Sequence, residues 1–227
     1  MIAVFYSQIE KGMNKRIWLL AVLMVLGFAQ KAESKAINTL NIGIAPGETR
    51  ECYIYMNTAY SNLIAFQIDV KLPAGLKLNT ESCSLTSRVT DREQMLFAGL
   101  VSSNTYRLVS TSFNAIPFSK DNDTFIKLSL TADESFKGGT VSLVNMEFFT
   151  NASARVGCSN DGFTVKSMPK IKGDVDFSGV VDLSDTLFIV DYILDNNRLY
   201  TSALDVNGDG KIDISDALSV VDRILGR

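Results

Sequence analysis

Asp174-Val-Asp-Phe-Ser-Gly-Val-Val-Asp-Leu-Ser-Asp185 and Asp205-Val-Asn-Gly-Asp-Gly-Lys-Ile-Asp-Ile-Ser-Asp216 decide how the C-terminal quarter of this chain is read. Each is a dodecapeptide with oxygen-bearing side chains at positions 1, 3, 5, 9 and 12 and glycine at position 6. A hard cation such as calcium takes about 6–8 oxygens at roughly 2.3–2.6 Å, which a tight loop supplies from alternate side chains and the carbonyl at position 7. Position 7 is Val180 or Lys211, so only the backbone can serve there. Gly179 and Gly210 permit the sharp turn that wraps one ion. The crowded carboxylates would repel one another without a divalent cation. The expected ligands are Asp174, Asp176, Ser178, Val180 (carbonyl), Asp182 and Asp185, then Asp205, Asn207, Asp209, Lys211 (carbonyl), Asp213 and Asp216. Two calcium ions are expected, one per loop.

The duplication extends beyond the loops. Leu183, Leu187, Val190 and Leu194 match Ile214, Leu218, Val221 and Leu225, a 4-3-4 spacing that puts one apolar stripe on each of two helices. Ser184-Asp185 repeats as Ser215-Asp216, and Val190-Asp191 as Val221-Asp222. This is one loop–helix unit used twice. A full EF-hand also has an entering helix and usually Glu at position 12. Here the first loop is preceded by Lys166–Gly173, with Pro169 and no helical period, and the second by the short polar run Asn196–Ala203.

Loop plus exiting helix, duplicated at this spacing and closed by Asp, resembles the type I dockerin over residues 173–227. The resemblance implies a small α-helical two-loop calcium-binding domain (an F-hand), with Ser178 a weaker ligand than the usual carboxylate or amide. It also implies a cohesin partner, recognised at loop positions 10 and 11 and on outward helix positions. Those fall on Leu183, Ser184, Ile214 and Ser215, with Asp191 and Asp222 further along; helix-start core is the competing reading of Leu183 and Ile214. Phe188 and Tyr192 stand where the second copy has Ser219 and Arg223, so the outer face of the first half is expected to be the greasier.

At the other end, Met13-Asn-Lys-Arg precedes the apolar run Ile17–Phe28. A basic start, a short apolar stretch and small residues at Gly27 and Ala29 read as a secretory signal peptide over residues 1–29, too short for a comfortable membrane span. Residues 1–12 read as an upstream extension, with Met13 the more natural start. The expected destination is periplasm, cell surface or medium, with no membrane attachment after cleavage. Residues 171–227 carry 11 acidic residues against 5 basic ones, so the acidity of the chain is concentrated around the loops. No basic stripe suggests nucleic-acid binding. Of the three cysteines, Cys52 alternates with Ile54 and Met56 as a core thiol. Cys83 and Cys158 fall in loop regions, where pairing and free thiols both remain open.

Residues 36–165 show period two. Phe66, Ile68, Val70 and Leu72 alternate with Gln67, Asp69 and Lys71 before the turn Pro73-Ala-Gly75, and Ile126, Leu128 and Leu130 alternate with Lys127 and Ser129. Gly138-Gly139 precedes Val141 and Leu143, and further strands are expected at 40–44, 50–56, 94–98, 105–112 and 146–149. Short strands separated by turn residues, with no convincing helix, predict an antiparallel β-sandwich. The runs Ala45-Pro-Gly-Glu-Thr, Ile64–Pro73 and Phe136–Leu143, with Phe148-Phe149, are similar to a cohesin. That resemblance implies a jelly roll of about nine strands with one sheet face serving for protein docking. The chain as a whole is expected to be mainly β: a sandwich, a linker at 166–172 and the helical unit.

The chain has no histidine, which removes Ser-His-Asp and Cys-His nucleophiles and His-ligated zinc. The dense carboxylates belong to the ion loops, and those of the sandwich are scattered, unlike a glycosidase pair. Asp69, between Gln67 and Lys71, reads as a solvated charge. The expectation is therefore a secreted, non-catalytic adapter acting in protein–protein assembly around polysaccharide breakdown. The alternative is a carbohydrate-binding module anchored through its dockerin, for which Tyr53 and Tyr55, on one strand face, are the candidate platform, a second core face being the preferred reading of that pair. The short linker predicts contact between the helical unit and its own sandwich in cis.

Overall fold

The computed structural model describes residues 29–30, 37–56, 62–86, 94–118, 124–152, 154–194 and 199–227. The expected signal peptide lies, but for Ala29, outside the described residues. The strands are β1 (Ala29–Gln30), β2 (Ile37–Thr39), β3 (Ile42–Ile44), β4 (Thr49–Met56), β5 (Leu63–Lys71), β6 (Leu76–Leu78) and β7 (Ser84–Leu85). Then follow β8 (Met95–Ser102), β9 (Thr105–Thr111), β10 (Thr124–Ala132), β11 (Gly139–Thr150), β12 (Arg155–Gly157) and β13 (Asp161–Ser167). Two helices close the chain, α1 (Leu183–Leu194) and α2 (Ile214–Ile224).

Two sheets form a sandwich. One runs β1-β12-β11-β5-β9-β8, with β13 joining β11 to β3; the other runs β2-β4-β10-β6, with β7 also on β10. Pairing is antiparallel except at β1–β12 and β13–β3. Alternation sets the faces: Phe66, Ile68 and Val70 of β5 point inward against Cys52, Ile54 and Met56 of β4 and Leu128 and Leu130 of β10, all in one buried cluster. Phe66, Phe118 and Phe125 meet at its centre, with Phe125 edge-on to Phe66 at 4.8 Å and to Phe118 at 5.0 Å. Such pairs add about 0.5–1.5 kcal/mol each beyond their burial.

The expected strand at 146–149 is continuous with Val141 and Leu143 in one strand, β11. Asn145, at φ 50°, forms a bulge where the register against β5 shifts between Val144 and Glu147. The extra residue flips the inward parity, so Val141 and Leu143 and then Met146 and Phe148 all reach the core. Asp69 is not a solvated charge. It is buried on the outer face of the larger sheet, where Arg107 holds it with two hydrogen bonds of 2.7 and 2.8 Å and Asn145 Nδ2 donates a third at 2.9 Å. Burial alone would raise the Asp69 pKa, but these bonds and the Arg107 charge together hold it below the usual value. All three cysteines are free thiols. Burial pushes Cys52 up to about 12.

The helical unit has its own small core of Val175, Ile189, Leu204, Val206, Ala217 and Val220, against which Phe188 and Tyr192 also pack. Among the described residues no α-helix enters either loop: the first follows β13 through an irregular stretch, and the second follows a single 3₁₀ turn at Ser202–Leu204. Among the described residues, no helix is long and apolar enough to cross a membrane.

Candidate metal centre and its seam with the sandwich

Both dodecapeptides fold as ion-type loops, each wrapped around the carboxylate at position 1. Asp174 accepts from the backbone N–H of Ser178 at 2.9 Å and of Gly179 at 2.8 Å. Asp205 accepts from Gly208 at 2.7 Å and from Gly210 at 3.0 Å. Gly179 and Gly210 have φ of 94° and 82°, the left-handed region where glycine carries no steric penalty. Position 12 ties each loop to its helix. Asp185 Oδ1 accepts from Val175 and Asp176 N–H, at 2.8 and 3.2 Å, while Oδ2 accepts from Asp182 N–H at 3.0 Å. Asp216 repeats this with Asn207 and Asp213, and it closes a capping box in which Asp213 accepts from Ser215 N–H.

In the first loop, ligand oxygens of Asp174, Asp176 and Asp185 all lie within 4.8 Å of one another. Asp174 and Asp185 are almost wholly buried. Burial raises both carboxyls above their usual range and the neighbouring Asp176 charge adds to this, while backbone N–H groups oppose it. Among the described residues, no lysine or arginine side chain ion-pairs with the three. Ser178 Oγ lies 3.5 Å from Asp174 Oδ1 and donates to the Val180 carbonyl at 3.2 Å, so the weak ligand stands among the others. An all-oxygen set of mutually repelling carboxylates, two buried and one half-buried, fits a hard divalent cation. The Val180 and Lys211 residues are exposed, as expected where only a carbonyl is used. Among the described residues the second loop forms no equally tight carboxylate cluster.

The helices turn Leu183, Ser184 and Ile214 outward, as expected, but not Phe188 and Tyr192. Leu183, Leu187 and Leu194 of α1 and Ile214 and Leu218 of α2, with Leu225 just beyond, are each more than half exposed. The repeated stripe thus faces solvent, with only Val190 and Val221 partly covered. Phe188 and Tyr192, read as the greasy outer face, are half-buried against the unit's core, with the Tyr192 ring 6.3 Å from Tyr200. Ser184 and Asp222 are exposed, Asp191 is half-buried, and Ser215 is engaged with Asp213 at 2.6 Å and with Asn207 at 2.7 Å. The 4-3-4 repeat already contained Leu187, Leu194, Leu218 and Leu225; what it lacked was the phase of each helix against the other.

The helical unit and the sandwich share a seam along β4. Arg50 and Thr201 form an antiparallel bridge. Glu51 N–H donates to the Tyr200 carbonyl at 2.9 Å, Tyr200 N–H returns to Glu51 Oε2 at 2.9 Å, and Thr49 N–H donates to Ser202 Oγ at 2.8 Å. Ser202 also bonds Glu48, which pairs with Lys170 of the linker. Arg50 Nη1 donates to two carbonyls, Gly43 at 2.7 Å and Asp176 of the first loop at 2.8 Å, and its guanidinium lies over the Phe177 ring. The contact in cis therefore exists, but it uses β4, the Tyr200–Ser202 segment and the first loop, and leaves the exposed stripe of the helices uncovered by these bonds.

Residues 172–225 match the family model of the dockerin type I domain. No curated protein matches the chain. Among solved structures, a type I cohesin–dockerin complex of Clostridium thermocellum (Coh-OlpA-Doc918) is similar at 10% identity, covering 58% of this chain and 97% of that one, with a TM-score of 0.48. A cohesin of Archaeoglobus fulgidus, described as non-cellulosomal, is similar at 11% identity, covering 59% and 93%, with a TM-score of 0.44. The protein CaCohA2 of Clostridium acetobutylicum is similar at 11% identity, covering 57% and 89%, with a TM-score of 0.48.

Proposed function

We propose that this chain is a secreted, non-catalytic adapter whose C-terminal dockerin binds two calcium ions and docks a cohesin-type domain. The observation that carries this reading is the outward apolar stripe on α1 and α2, mounted directly on the two ion loops. A contiguous exposed apolar patch marks an interaction surface, and the dockerin match over residues 172–225 supports a cohesin as its partner. Asp174, Asp176, Ser178, Asp182 and Asp185, with the Val180 carbonyl, would hold the first ion. Asp205, Asn207, Asp209, Asp213 and Asp216, with the Lys211 carbonyl, would hold the second. The clustered carboxylates would be neutralised by a divalent cation held there. The loops then fix the start of each helix through Asp182–Asp185 and Asp213–Asp216, and so the pose of the stripe.

Polysaccharide degradation is the setting this reading implies, with the chain as an assembly part. The alternative of direct glycan binding has weaker support. Tyr53 and Tyr55 lie on the outer face of β4, but their rings meet edge-to-face at 73°, not as the flat platform that stacking on sugar requires. Retention on immobilised cohesin domains and on insoluble polysaccharide, each with and without chelator, tests the proposal. Cohesin retention lost on chelation supports it; glycan retention that survives chelation, without cohesin binding, overturns it.

A further inference from the structure

The two ion loops differ at position 4. In the second loop it is Gly208, at φ 81°, with open space where a side chain would project. In the first it is Phe177, at φ 56°, a left-handed conformation that a bulky side chain rarely adopts. Phe177 is nonetheless buried, and what surrounds it includes the sandwich. Arg50 of β4 lies over its ring, and the same guanidinium holds the carbonyl of the preceding residue, Asp176. The same nitrogen, Nη1, also donates to the Gly43 carbonyl of β3 at 2.7 Å. Gly43 itself brings β3 so close that an added Cβ would stand 2.9 Å from the Phe177 carbonyl. From the other end of the seam, Thr201 Oγ1 donates to the Val175 carbonyl at 3.0 Å, one residue into the same loop.

We propose that the sandwich is the outer wall of the first calcium loop, with Arg50 and Gly43 as positioning residues that make ion uptake at that loop and packing along the seam reinforce each other. This rests on the calcium-binding reading above. The strained Phe177 is the element that both sides bias: the seam holds it in the loop conformation before the ion arrives, and the ion holds the loop that the seam grips. The second loop, with glycine at the strained position, needs no such wall. Arg50 carries the same charge sign as the ion, so its charge opposes uptake while its hydrogen bonds favour it. Substitutions that keep charge constant separate the two. Gly43→Ala puts a methyl 2.7 Å from Met168 Cγ and 2.9 Å from the Phe177 carbonyl, so β3 and the first loop must part. Arg50→Lys keeps the cation and removes the planar guanidinium that lies over the Phe177 ring while its Nη1 reaches both carbonyls.

The test is a calcium titration of the full chain, following the backbone amides of Gly179 and Gly210 by NMR. Each glycine reports its own loop because it donates to that loop's first aspartate. In both variants the Gly179 midpoint is expected to move to higher calcium, by on the order of 5- to 50-fold, while Gly210 stays within about twofold. Reciprocally, hydrogen exchange at the Thr49 and Glu51 amides of the unsubstituted protein is expected to slow when calcium is added. Unchanged midpoints in a folded variant, or a parallel shift of both glycines, overturn the proposal. If neither glycine responds to calcium in the unsubstituted chain, the calcium reading fails and takes this linkage with it. If Gly43→Ala does not fold, Arg50→Lys alone decides.

Discussion

Arg50 of β4 and Phe177 of the first loop face each other across the seam, with the guanidinium carbon 5.7 Å from the ring centroid. The pair sets two costs against each other at one position: a left-handed backbone that favours glycine and a buried ring that favours phenylalanine. Phe177→Ala keeps the strained backbone and loses the ring, at a cost of about 3–5 kcal/mol. Phe177→Gly loses the ring too but relieves the strain, recovering about 1–2 kcal/mol. Chemical denaturation of the two variants is expected to rank glycine above alanine, the reverse of the usual order.

Arg107 is expected to matter more than an ordinary surface cation. Its partner Asp69 is 3% exposed, so losing the pair leaves a charge in a poor solvent. Because Arg107 remains about a third exposed, Arg107→Met is expected to cost about 2–3 kcal/mol, less than for a fully buried pair.

The same pair fixes a pH response. The native Asp69 pKa is held below its unfolded value, so its contribution is present above the ordinary carboxylate pKa near 3.9 and is lost as pH falls through the lower native value. Without Arg107, burial instead raises Asp69, and acidification then favours the folded state at this group. Stability measured between roughly pH 5 and 3 should fall less steeply for Arg107→Met than for the unsubstituted chain.

Leu187 and Leu218 separate docking from folding. Both are exposed by about three-fifths, so Leu187→Ser and Leu218→Ser are expected to change stability by no more than about 0.5 kcal/mol. Paired in one chain, they are expected to weaken cohesin binding by roughly 30-fold or more, the scale of an interface hot spot. Melting curves and calorimetric binding to a cohesin domain read the two effects separately.

Cys52 is expected to resist thiol reagents in the native protein. It is buried in the sandwich core with its pKa pushed up to about 12, so little thiolate exists at neutral pH. Labelling should reach it only after unfolding.

The loops were legible in sequence because ion coordination dictates residue type at fixed spacing, and the alternating runs of β5 and β10 gave their inward faces directly. Other features depend on partners distant in sequence. Asp69 looked solvated between Gln67 and Lys71, yet its partners Arg107 and Asn145 are 38 and 76 residues away on neighbouring strands. The bulge at Asn145 inverts the alternation, so β11, a single strand, does not read as one alternating run in the sequence. The apolar stripe was visible, but a helix with two greasy faces does not say which one packs: Ile189 and Val220 went inward, and Leu187 and Leu218 outward. Nothing local signals that Phe177 is left-handed, since its support comes from β3 and β4.

Titration calorimetry of the full chain with calcium, followed by cohesin binding at saturating calcium and after chelation, addresses the central claim most directly. The account predicts uptake of two ions and docking that disappears with them. Absence of divalent-ion uptake, or cohesin binding indifferent to chelation, would contradict it.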